Sequence, residues 1–273
     1  MSSAKPGQSF ESLLGTEPEV TTSFEQDGFT FDYFLSRHSS KTLLVFFPSA
    51  LRPERRRVPS FHRWSWAADM PAYDSFFVSD PTMRLGEEIL GGWLLGNEQT
   101  WVLKTVIEHT KALQDHFGYE NIIFSGSSLG GFCALQAGAL APSLGLKLGS
   151  GGVFAENPQI NLLTYKFREA IDLLARECFN VATREQIPQQ FLERLNAVET
   201  MKSANYVPRG RVVVKESDIH HFTDQIPQLS QYLSTLPDQG LEIEVIPNDL
   251  DTTGHTPLTM QQMLQRLAII CPL

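Results

Sequence analysis

With 273 residues, 42% of them hydrophobic and 19% charged, the chain has the composition of an ordinary globular protein with material for one sizeable core. Its formal net charge of −9 argues against nucleic acid or an anionic membrane as partner, because counterion release and electrostatic steering need a basic face. Cys133, Cys178 and Cys271 are too few and too far apart for a disulfide framework or a metal knuckle, and no apolar run approaches the ~18 residues of a membrane span.

The segment Met1 to Gln8 lacks the apolar stretch of a secretory signal. The expectation is therefore a cytoplasmic protein with reduced thiols, folding as a single domain over 1–273 and lacking fixed structure over at most the first ~20 residues. Residues 20–36 alternate apolar and polar around Asp27-Gly28, which predicts an antiparallel hairpin with a tight turn. Continuous apolar runs at Thr42–Phe47 and Ser75–Val78, and again at Ile122–Phe124, predict strands covered on both faces. Between the last two, Trp101, Leu103, Val106, Ile107, Thr110, Leu113 and Phe117 recur at three- and four-residue spacing before Gly118, predicting a crossover helix. A second helix should follow Ser128 and stop at Pro142.

Further strands are predicted at Lys147–Phe154, Arg211–Val214 and Leu241–Ile246, with a terminal helix carrying Leu258, Met263, Leu264 and Leu267. From Asn161 to Asn205 two amphipathic helices appear in succession, the second opened by the capping box Thr183-x-x-Gln186. Strand and helix in alternation imply a largely parallel sheet with right-handed crossovers. The 158–208 stretch reads as a helical cap inserted between strands.

The chemistry concentrates at Gly126-Ser127-Ser128-Leu129-Gly130, where an apolar strand runs into Gly-x-Ser-x-Gly and then a helix. A serine on such a turn is strained and projects from the sheet top, and its neighbours must be small because strand and helix approach closely. The N–H of Leu129, at a helix start, would face a developing oxyanion, with a second donor from the Pro48-Ser49-Ala50-Leu51 loop, Ala50 first and Ser49 or Leu51 as register alternatives.

From about Thr42 onward the chain resembles the α/β-hydrolase superfamily, whose triad runs nucleophile, acid, histidine. The resemblance implies a histidine after the last strand, and His255 in Asn248-Asp-Leu-Asp-Thr-Thr-Gly-His occupies that place. The acid should follow the preceding strand: Asp218, with Glu216 as alternative; Asp249 and Asp251 lie close to His255 in sequence and read as polar loop residues. Neighbouring His220 or His221 would hold the acid loop. Metal ligation is not expected, since two adjacent histidines point apart and no second cluster accompanies them.

Arg52, Arg55, Arg56 and Arg57, followed by Phe61, Arg63, Trp64 and Trp66, sit after the oxyanion strand. Arg57, Arg63 and Trp64 are candidates for holding an anionic group or a sugar face, against the alternative of a solvated basic loop with packed aromatics. Pro48–Trp66, Ser79-Asp-Pro-Thr82, Gly92-Trp93 and Asn157-Pro-Gln159 also resemble uncharacterised bacterial hydrolase-like proteins associated with surface-polysaccharide synthesis, which implies an acylated carbohydrate or a small or carrier-linked ester as substrate. The expected activity is ester hydrolysis without a cofactor; acyl transfer by the same residues and a non-catalytic binding module are the alternatives.

Overall fold

The computed structural model describes residues 9–237 and 240–272. Within the stretch expected to be loose, a 3₁₀ turn at Phe10–Leu14 buries Leu13 completely; residues 1–8 lie outside the described residues. Strands β1 (Glu19–Gln26) and β2 (Phe29–Ser36) form the expected hairpin, with Asp27 and Gly28 both at positive φ in the turn. β3 (Thr42–Phe46), β4 (Asp74–Val78), β5 (Asn121–Ser127), β6 (Gly152–Glu156), β7 (Gly210–Lys215) and β8 (Leu241–Ile246) follow.

The eight strands form one sheet in the order β1-β2-β4-β3-β5-β6-β7-β8. Pairing is antiparallel for β1–β2 and β2–β4 and parallel from β4 to β8. The unbroken apolar run of β3 has a simple cause: Leu43 and Val45 enter one core, and Leu44 and Phe46 enter another on the opposite face. Helices α1 (Val102–Phe117), α2 (Leu129–Leu140), α3 (Arg168–Phe179), α4 (Leu192–Leu195), α5 (Ala197–Ala204) and α6 (Ile226–Leu233) contribute to the larger core. α7 (Met260–Ile270) and the 61–70 segment cover the other. None of these helices is long and apolar enough to cross a membrane. Cys133, Cys178 and Cys271 are free and buried.

Two expectations need correction. The strand placed at Lys147–Phe154 starts only at Gly152, because Gly149 turns the chain at φ 62° and Gly151 N–H closes onto the Leu148 carbonyl. The Thr183–Gln186 capping box forms, but it opens a three-residue 3₁₀ turn rather than a helix. Pro188, without an N–H to donate, follows at once, and the next helix of any length, α5, is capped afresh by Asn196, whose side chain accepts from Val198 and Glu199 N–H.

Two enclosed histidines are expected to make this fold sensitive to acid. Burial holds His62 down to about 3 and His109 to about 4; His109 lies between the Tyr33 hydroxyl at 2.7 Å and Gln26 Oε1 at 3.0 Å. Between these values and the ordinary ~6.5 of an imidazole, the unfolded chain binds protons that the folded one does not, so stability rises with pH and is lost as pH falls below ~6.5. Each histidine should cost roughly 2–3 kcal/mol at about pH 4.5 relative to pH 7. Urea unfolding at the two pH values reads this directly; equal free energies would contradict it.

Candidate functional site

β5 ends at Ser127 and α2 begins at Leu129, leaving Ser128 alone on the turn at φ 56°, ψ −117°. Its N–H is anchored on the Glu156 carbonyl at 2.8 Å, and its own carbonyl accepts from Phe132 N–H. The glycines are required by contact: a Cβ on Gly126 would stand 2.3 Å from the Gly130 carbonyl carbon, and one on Gly130 would stand 2.6 Å from the Pro48 oxygen. Such strain at a turn that points a hydroxyl out of a sheet is characteristic of a functional position. Among the described residues, no protein acceptor takes the N–H of Leu129 or of Ala50. Gly91 lies between them, since a Cβ there would meet Leu129 Cδ1 at 2.4 Å and Ala50 Cβ at 3.3 Å.

Asp218 follows β7 and turns back with its N–H on the Lys215 carbonyl. Its Oδ2 lies 2.5 Å from His255 Nδ1, and its Oδ1 3.0 Å from His221 Nδ1. Burial alone would raise this carboxyl; hydrogen bonds from His221 and His255 outweigh it and hold Asp218 well below the usual carboxylate range. His221 is buried and stacks on His255, ring centroids 4.4 Å apart. Glu216 instead accepts from Asn248 N–H, and Asp251 pairs with Lys215. Asp218, His221 and His255 present possible metal-ligand atoms within 4.8 Å of one another, but both imidazole Nδ1 atoms already lie on Asp218 oxygens.

Ser128 and His255 line one cleft of about 770 Å³, together with Leu51, Trp93, Tyr165, Phe167 and Leu173. Within it, the hydrogen-bond partner of Ser128 Oγ among the described residues is Gln159, whose Nε2 donates at 2.9 Å. Two ion pairs, one partly and one fully buried, hold the chain around the half-exposed His255. Around it, Lys215 Nζ reaches Asp251 Oδ2 and Thr253 Oγ1 on one side and the Thr256 carbonyl on the other, each at 2.7 Å. After it, Glu156 accepts from Leu258 N–H at 2.9 Å, and Arg63, ion-paired to Glu156, donates to the Leu258 carbonyl at 3.0 Å.

That second pair corrects one expectation. Arg63 is not free for a substrate: its side chain is 4% exposed, held by Glu156 and lying over the Trp66 ring. Trp64 lines a neighbouring pocket of about 350 Å³ with Arg52 and Arg55, and Arg57 is exposed outside both cavities. Arg56 is structural, donating to the carbonyls of Met83, Gly86 and Ile89.

Sequence reasoning gave no role to Lys215 or Glu156, and it met Asp80 and Gln159 only as members of short motifs. Buried Asp80 receives the N–H groups of Thr82, Gly92 and Leu94 and so fixes the positive-φ backbone of Trp93 and Leu94, of which Trp93 lines the cleft. Burial raises the Asp80 carboxyl despite those three donors. The available signal was a lone charge inside an apolar strand end, as in Val-Val-Val-Lys215 and Phe-Ala-Glu156.

No protein-family model matches the chain, and no curated protein matches it. Solved structures do. The capsule O-acetyltransferase of Neisseria meningitidis serogroup A is similar over 95% of this chain and 98% of its own, with 15% identity and a TM-score of 0.62. An S-formylglutathione hydrolase from Agrobacterium tumefaciens covers 89% and 91% at 13% identity and 0.57. Carboxyl esterase 2 of the fungus Tuber melanosporum covers 93% and 82% at 13% and 0.56. At these identities the likeness establishes the fold, that of the α/β-hydrolases.

Proposed function

We propose that this protein is a single-domain serine-dependent enzyme acting on esters, with Ser128 as nucleophile, His255 as general base and Asp218 as the acid that orients it. The observation carrying this reading is that the His255–Asp218 hydrogen bond and the strained Ser128 turn open onto the same cleft. Ser128 Oγ attacks the ester carbonyl as its proton passes to His255, and the carbonyl electron pair moves to an oxygen held by the N–H groups of Leu129 and Ala50. The imidazolium returns the proton to the departing alkoxide, leaving an acyl-enzyme that water hydrolyses by the same steps. A fluorophosphonate probe tests this: labelling should map to the peptide containing Ser128 and vanish in Ser128→Ala, whereas folded protein that takes no label favours a binding module of the same fold.

Acyl transfer is the second reading, favoured by the full-length likeness to a capsule O-acetyltransferase. There an alcohol of a carbohydrate would replace water at the acyl-enzyme. The ratio of transfer to hydrolysis products with and without sugar acceptors separates the two.

The substrate is a small ester or an acylated carbohydrate, and the segment 158–208 acts as a helical cap whose α3 residues Ala170 and Leu173 wall the cleft. This wall, with Leu51, Ile89 and Phe167, suits an apolar acyl or aryl group rather than a charged one. Leu173→Trp should therefore lower kcat/KM about tenfold or more for bulky esters while sparing acetyl esters. A uniform loss across a p-nitrophenyl ester series would place Leu173 outside the substrate path.

A further inference from the structure

Trp93 orients an amide that stands between Ser128 and a second histidine, His221. An indole N–H can only donate, and Trp93 Nε1 lies 3.2 Å from Gln159 Oε1. The amide is thereby oriented, with its NH₂ group turned to the other side. There it faces Ser128 Oγ at 2.9 Å and His221 Nε2 at 3.0 Å. An amide nitrogen donates only, so both atoms must accept. His221 Nε2 carries no proton, the ring proton resides on Nδ1, and Nδ1 donates to Asp218 Oδ1 at 3.0 Å. With His255 Nδ1 on the other oxygen, the Asp218 carboxylate receives one imidazole N–H on each side.

We infer that His221 is a positioning residue locked in the neutral Nδ1–H form by Trp93 and Gln159, and that Gln159, standing between His221 and Ser128, keeps His221 from taking the serine proton and leaves that role to His255. The inference rests on the triad reading above. A second proton on His221 would set N–H against the N–H of Gln159 and place a cation in the stack with His255. At 1% exposure, water cannot relieve either contact. The titratable groups around it are Asp218 and His220 on its own turn, Tyr165 from the preceding segment, and His255 from the loop after β8. Gln159 also occupies an acceptor site of Ser128 Oγ, which leaves the hydroxyl proton free to point into the cleft.

Two measurements on the full chain test this. Ring-nitrogen correlation spectra, with His221 assigned by its absence in His221→Asn, should keep one neutral Nδ1–H tautomer between about pH 5 and 8; protonation of His221 in that window overturns the inference. In Gln159→Glu the new carboxylate should draw a proton onto His221 Nε2 in the same spectra, and an unchanged ring would overturn the lock. The kinetic test compares two replacements. His221→Leu removes the donor and should cost roughly tenfold to a hundredfold in kcat/KM through kcat, the worth of one hydrogen bond to a charged group, and move the acidic limb of the profile to higher pH. His221→Asn keeps an N–H for Asp218 and should recover most of that loss. Equal losses with an unmoved acidic limb would reduce His221 to packing. Should no ester be turned over at all, the triad reading fails while the spectra still decide the state of His221.

Discussion

Ser128→Ala is expected to lower kcat by up to about 10⁶-fold with the protein still folded, because nucleophile and base act as a unit and removing either disables both. Alanine leaves the turn's N–H on the Glu156 carbonyl and the Phe132 N–H on its own carbonyl. The cost to stability is confined to one unmade bond, that of Gln159 Nε2, about 1 kcal/mol. A large kinetic loss with a small change in Tm is therefore the expected signature. Asp218→Asn should cost about 10⁴-fold, because an amide N–H then faces one of the two imidazole Nδ1–H groups and forces that ring into its other tautomer. Loss of turnover in both variants with intact thermal transitions supports the triad; full activity in either removes that residue from it.

The largest effect on stability should come from Glu156→Ala. Glu156 and Arg63 have side chains 1% and 4% exposed, so removing one partner leaves an uncompensated buried charge, worth about 3–5 kcal/mol. The change also strands Leu258 N–H and loosens the chain three residues after His255. For a domain of this size the melting temperature should fall by roughly 10 °C, with kcat declining before global unfolding. Joint replacement by apolar residues of similar volume, Arg63→Met with Glu156→Leu, should restore much of the stability, since paired burial of charge gains little over good packing. Urea midpoints of the three proteins decide this. A single-variant loss under about 1 kcal/mol would mean that water reaches the pair.

The elements most legible in the sequence were those whose pattern is local. The β1–β2 hairpin follows from alternation about Asp27-Gly28, α1 from its three- and four-residue spacing, and the Ser128 turn from small residues between an apolar strand and a helix. The 158–208 region was less legible. Its helices α3 and α5 carry an amphipathic pattern, but the capping box at Thr183 could not announce that Pro188 would limit it to one 3₁₀ turn. At Gly149 the Gly-rich stretch read as a strand passes through a glycine that only the folded backbone reveals to be at positive φ.

The site divides in the same way. Composition and spacing alone pointed to a sheet covered on both faces and to a serine on a tight strand-to-helix turn, because each is a relation among residues a few positions apart; the acid, Asp218 or Glu216, and His255 came from the resemblance to the α/β-hydrolases and its chain order. Tertiary structure decided the partners. Arg63 and Glu156 stand 93 positions apart, Gln159 and His221 62, and Lys215 and Thr253 38. No local period encodes such pairs: strand order brings them together, and burial then favours arrangements in which these charges and amides find complements. For that reason an arginine legible as a substrate contact became an internal brace, and a glutamine with no chemistry of its own came to stand between the serine and a second histidine.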